Sequence, residues 1–169
     1  MKPVSAASVL VLAGWLTGCA SAHHEVVLQP VGPPPGASEA ASSEGSLVVY
    51  SAQNSAPDFN QSPYRRSYTD YEVLSADGTT VVRKVHNDTG KMVEGPARVS
   101  LPVGSYRVVA RANGYGTVTV PVVIKGNQVT TVHLEGSVWW PARSPIHESN
   151  PVRLPHGEIA GWRADDLAK

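Results

Sequence analysis

A zinc peptidase that grips its metal through one short segment needs a histidine and a glutamate three residues apart, so that both side chains reach the same ion. The chain has six histidines, and none has glutamate at that spacing: His86 meets Thr89, His133 meets Gly136, His147 meets Asn150 and His156 meets Ile159. His23-His24-Glu25 sets two imidazoles beside a carboxylate, but in a stretch too poor in large apolar residues to hold them still. No Gly-x-Ser-x-Gly elbow is present to expose a nucleophilic serine. Asp70, Asp77, Asp88 and Glu94 could offer oxygens to calcium, yet no loop alternates acidic residues as a calcium loop does. Turn and surface roles are the expectation for them. The sequence therefore implies no catalytic residue, no metal and no cofactor. What remains is one thiol, Cys19, the only cysteine of the chain.

Cys19 closes an arrangement with three parts. Lys2 and the amino terminus carry positive charge, Val9, Leu10, Val11, Leu12, Trp15 and Leu16 form an apolar run, and Thr17-Gly18 put small residues before the thiol. That run is far shorter than the ~20 apolar residues that cross a bilayer, so it reads as a cleaved export signal rather than a permanent span. Leu16-Thr17-Gly18-Cys19 resembles the lipobox of bacterial lipoproteins. The resemblance implies cleavage after Gly18, a diacylglyceryl group on the Cys19 thiol and often a third chain on the new amino terminus. At ~0.8 kcal/mol per buried CH₂, one acyl chain binds reversibly, whereas two or more hold a protein on its membrane. Ala20 stands where aspartate is associated with inner-membrane retention, so the resemblance points to the outer membrane of a two-membrane envelope.

Losing Lys2 with the signal leaves 13 Lys and Arg against 14 Asp and Glu, a formal charge of −1. No basic field exists to attract nucleic acid. One cysteine in an exported chain permits no internal disulfide, so an apolar core alone must hold the fold. The 169 residues suit one domain of roughly 100 residues with tails.

The elements that must carry any function begin after residue 45. Residues 19–45 are dominated by Ala, Ser, Pro and Gly, with Pro33-Pro34-Pro35-Gly36 at their centre, and read as a lipidated, disordered tether. Such a tether could reach about 80 Å if extended as polyproline. From Ser46 onward short strands alternate with turns. Asp77-Gly78 is the pair that best tolerates a tight hairpin, and Asn87-Asp88-Thr89-Gly90, Asn113-Gly114-Tyr115-Gly116 and Gly126-Asn127 follow it. Between them, Tyr106, Val108, Ala110 and Ala112 share one face, as do Val118, Val120, Val122 and Ile124, and Thr130, Val132 and Leu134. Pro121 lacks an N–H and suggests an edge strand or a bulge. No helical period appears between residues 46 and 136. The pattern is that of an all-β fold, a single antiparallel β-sandwich of about seven strands.

Two phrases sharpen the reading: Leu101-Pro102-Val103-Gly104-Ser105-Tyr106-Arg107-Val108, and Ala112-Asn113-Gly114-Tyr115 followed by Val129-Thr130-Thr131-Val132-His133-Leu134. Over residues 46–136 they resemble the bacterial carboxypeptidase regulatory-like domains, which implies an Ig-like or transthyretin-like sandwich. These are packing and turn motifs, and they carry no chemistry.

Two segments lie outside that pattern. Residues 53–71 hold Phe59, Tyr64, Tyr68 and Tyr71, and residues 137–169 form an irregular Pro- and Trp-containing tail with Trp139, Trp140 and Trp162. Tyr64, Tyr68, Trp139, Trp140 and Trp162 are the candidate binding surface, since exposed aromatics of this size normally meet a partner. That partner is either the sandwich itself or a second molecule. The expected function is that of a non-catalytic, lipid-anchored envelope protein, a structural or protein-interaction module; the alternative is a surface lipoprotein whose aromatics stack on a glycan. Its expected partners are the membrane, through acyl chains on Cys19, and an envelope protein or glycan, with no nucleic acid.

Overall fold

The computed structural model describes residues 25–35, 41–53, 67–87, 95–136 and 151–164; Cys19, Tyr64, Trp139 and Trp140 lie outside the described residues. Seven strands fall where the turn spacing places a sandwich: β3 (Glu44–Tyr50), β4 (Tyr71–Ser75), β5 (Val81–Val85), β6 (Arg98–Pro102), β7 (Gly104–Ala112), β8 (Gly116–Ile124) and β9 (Val129–His133). Four more flank them: β1 (Val26–Val27), β2 (Val31–Gly32), β10 (Pro151–Arg153) and β11 (Ile159–Arg163). There is no helix among the described residues. The larger sheet runs β10-β11-β2-β8-β7-β4-β5, with β1 also on β8, and the smaller runs β6-β3-β9.

The alternation that sets this packing is the one written in the sequence. In β7, Val108, Ala110 and Ala112 are buried while Arg107 and Arg111 are exposed. In β8, Val118, Val120, Val122 and Ile124 are at most 1 % exposed. Leu47 and Val49 of β3, Val99 and Leu101 of β6 and Val132 of β9 are likewise buried and join the same core. Each such side chain contributes roughly 1.5–3 kcal/mol relative to exposure. The Asp77-Gly78 hairpin forms as expected: Gly78 takes φ 80° and its N–H donates to the Ser75 carbonyl at 2.8 Å.

The all-antiparallel expectation needs correction. β9 leaves the Gly126-Asn127 turn not back along β8 but across to the smaller sheet, where it lies parallel to β3 with Leu47 opposite Thr130. β1 and β2 are also parallel to β8, with Val26 opposite Val118 and Val31 opposite Val122.

Those two strands correct the reading of residues 19–45 as a disordered tether where they fall, over residues 25–35; residues 19–24 and 36–40 lie outside the described residues. From Glu25 to Pro35 the chain is built into the larger sheet, with Val31 fully buried and Leu28 nearly so. The few apolar residues there suffice because each fills a place in a core supplied by the rest of the chain. Pro121 is corrected by the same contacts. It lies inside a central strand, opposite Arg107 of β7. The Thr119 carbonyl accepts from the Leu28 N–H at 2.9 Å, so Pro121, two residues on, turns its missing donor to that same side. There Leu28–Pro30 crosses between β1 and β2, where the parallel pairing is interrupted.

The tail is corrected as well. Residues 151–163 form a hairpin, not an irregular segment. Pro151 is tolerated as the first residue of β10, the outermost strand. β11 pairs with β2, Trp162 opposite Gly32, and passes β9 so closely that a Cβ on Gly161 would stand 2.9 Å from the Thr131 carbonyl oxygen.

Candidate functional site

β3 and β9 end side by side, which sets Tyr50 opposite His133. Their rings stack at 4.5 Å with 7° between planes. Tyr68, held by a backbone bridge to Gln53, meets Tyr50 edge-on at 5.6 Å and 85°. At the edge of the imidazole, Nδ1 of His133 lies 2.8 Å from Oε1 of Glu135, and both side chains are under a tenth exposed. Asn113 closes the cluster: its Nδ2 donates to the Glu135 carbonyl at 2.7 Å and its Oδ1 accepts from the Gln53 N–H at 3.2 Å. An imidazole and a carboxylate in contact can move a proton. Here both are buried, one under an aromatic ring.

Two further groups sit at the same end of the molecule, where β4 begins, β5 ends and the β7–β8 turn closes. The Asp70 carboxylate accepts from the Asn87 N–H at 3.0 Å and touches His86 Nδ1. The Asn87 bond first, and His86 after it, hold that carboxyl below its ordinary value. Asn87 itself is fully buried; its Nδ2 donates to the Val49 carbonyl at 2.9 Å and to Ser51 Oγ at 3.0 Å, and its Oδ1 accepts from the Ala97 N–H at 2.9 Å. One side chain thus ties the exit of β5 to β3 and to the entry of β6.

In the third group the Tyr115 hydroxyl donates to Glu158 Oε2 at 2.7 Å and accepts from the His156 N–H at 3.0 Å, with the rings of Tyr115 and His156 4.9 Å apart. Loss of water pushes the Tyr115 phenol up, Glu158 adds to this, and the Tyr115 hydrogen bond holds Glu158 down. This group fastens the β10–β11 turn to the β7–β8 turn.

Of the five aromatics expected to form a binding surface, two are described, and the structure does not bring them together. Tyr68 is half-buried against Tyr50. Trp162 is 7 % exposed, so its place in the surface is corrected: it docks on the molecule's own sheet. Tyr71 turns inward, its hydroxyl without a hydrogen-bond partner among the described residues, and burial raises its pKa. Among the described residues no three His, Cys, Asp or Glu side chains come together to hold a metal.

Sequence reading passed over the two asparagines, the His133–Glu135 pair and the Tyr115–Glu158 pair. A signal existed for His133 and Glu135, which are two residues apart, the spacing that keeps side chains on one side of an extended chain; His156 and Glu158 flank the Gly157 turn and meet through Tyr115 instead. Asn87 and Asn113 carried only a turn signal, because their partners are far away in sequence. Comparison with family models, with curated proteins and with solved structures gives no match.

Proposed function

We propose that this chain is a non-catalytic, lipid-anchored protein of the bacterial cell envelope, placed at the outer membrane, that acts as a structural or protein-interaction module built on a transthyretin-like sandwich. The observation that carries this reading is the use made of its polar side chains. Asn87, Asn113, Asp70 and the Tyr115–Glu158 pair each join segments distant in sequence, which is how a small domain without a disulfide fixes its loops. The lipobox at Leu16–Cys19 supports the anchor. The glycan alternative would use Tyr64, Tyr68, Trp139 and Trp140, of which Tyr68 alone is described, half-buried against Tyr50.

The anchor is tested by fractionation and labelling. Wild-type protein is expected to partition with membranes and to incorporate labelled palmitate, and Cys19→Ala protein to do neither; a mutant that does both refutes the lipoprotein reading. Crosslinking in the native envelope then separates the two module readings, a protein adduct favouring interaction and a polysaccharide adduct the glycan alternative.

A further inference from the structure

The structure changes what an anchor at Cys19 would do. Glu25 is already part of the fold: the Thr119 hydroxyl donates to its Oε1 at 2.6 Å, and Val26 and Val27 pair with Val118 and Thr119 at the start of β8. From Cys19 to Glu25 there are six residue steps, a span of at most ~20 Å even for a fully extended chain. The leash is a quarter of the length that an unstructured stretch to residue 45 would allow.

Resting on the lipoprotein reading above, we propose that the sandwich is held in one orientation, with the β7–β8 turn end against the lipid headgroups. Glu25 emerges beside that turn, and with it lie Asn113–Gly116, the Pro155–Gly157 turn fastened to Tyr115, and the exposed Thr117 and His156. The opposite end carries the Asp77-Gly78 and Gly126-Asn127 turns and Val103, whose N–H donates to the Ser43 carbonyl. The nine residues of β8 separate the two ends by about 27 Å at ~3.3 Å per residue. An inverted domain would have to lift Glu25 that far and more above the membrane, beyond what six residues span. The partner of this end is the bilayer surface itself. Glu25 and Glu158 stand there with Arg111 and Arg153, two charges of each sign, so covalent reach rather than attraction to anionic lipid sets the orientation. The far end is left free for whatever the module binds.

Full-length lipidated protein in phosphatidylcholine vesicles that contain a headgroup-labelled acceptor lipid tests this. A donor dye is placed on Thr117→Cys or on Val103→Cys, Cys19 being blocked by its lipid. Energy transfer from position 117 is expected to be at least about twofold higher than from position 103. Inserting twenty Gly and Ser residues between Ser21 and Ala22 is expected to abolish the difference. Equal transfer from both positions, in protein that still floats with the vesicles, overturns the orientation while leaving the anchor intact. A difference that survives the insertion overturns the leash as its cause. Protein that neither floats nor takes up palmitate overturns the lipoprotein reading itself.

Discussion

Replacing Gly161 by alanine tests whether the carboxy-terminal hairpin belongs to the domain. The added methyl would stand 2.5 Å from Val31 Cγ1 and 2.9 Å from the Thr131 carbonyl oxygen, both closer than side-chain carbons tolerate. One neighbour is a fully buried valine and the other is strand backbone, so neither swings aside. Overpacking of this kind costs about 1–3 kcal/mol. Against it stands the ~0.4–1 kcal/mol that alanine returns by restricting the unfolded chain. The net expectation is a loss of about 1–2 kcal/mol, or roughly 5–15 °C in melting temperature for a domain of this size. Urea denaturation of residues 19–169 carrying Cys19→Ala reads this as a lower midpoint at unchanged slope. Val31→Ala alone should also destabilise, by opening a cavity. The double variant should lose less than the two single losses together, because the new methyl fills space that Val31 vacates. Unchanged stability in Gly161→Ala, or strict additivity in the pair, would refute the docking of β11 on β2 and β9.

Three other outcomes follow. Asn87→Ala should cost about 2–4 kcal/mol by stranding the Val49 carbonyl and the Ala97 N–H, and Asn87→Asp should cost more because it also buries a charge; denaturation midpoints check both. Val108→Asp should unfold the domain through an unpaired buried charge, while Arg107→Asp should cost under about 1 kcal/mol, and equal effects would mean the register of β7 is wrong. The Asp77 carboxyl, held at about 2 by bonds from Ser75 and from Thr79, lies below its ordinary 3.8. Its contribution is therefore complete above pH 3.8 and lost as pH falls toward about 2, so Asp77→Asn should be less stable than wild type at pH 6 and converge with it near pH 2 in thermal melts.

The central strands were legible because nothing competes with their period. Val118, Val120, Val122 and Ile124 recur at every second residue over one face, and β8 has no other way to bury them. The flanking strands were not legible for a physical reason. β1 and β2 are two residues each, too short for any alternation, and Pro33-Pro34-Pro35 beside them carries the composition of a linker. Their order comes from places prepared by β8 and β11. Trp162 shows the same limit in reverse: its short run Ile159–Arg163, following a proline-rich stretch, gives no hint of Gly32 waiting opposite it. Tyr68 was legible as a candidate contact aromatic outside the strands, but its partner Tyr50, stacked in turn on His133, takes its place only once β3 and β9 adjoin in the small sheet.

The position of β1 and β2 also bears on when this protein can fold. The first strands to emerge have nothing to pair with until β8 is made, and β2 is not flanked on its outer side until β11, almost at the end of the chain. Contacts this distant in sequence form slowly, since the intervening chain must close first. An amino terminus whose partners come so late stays unpaired through most of synthesis. If the chain is exported, as proposed above, that delay would keep the polypeptide threadable while it crosses a membrane, with the sheet closing over β1 and β2 only after β11 has arrived.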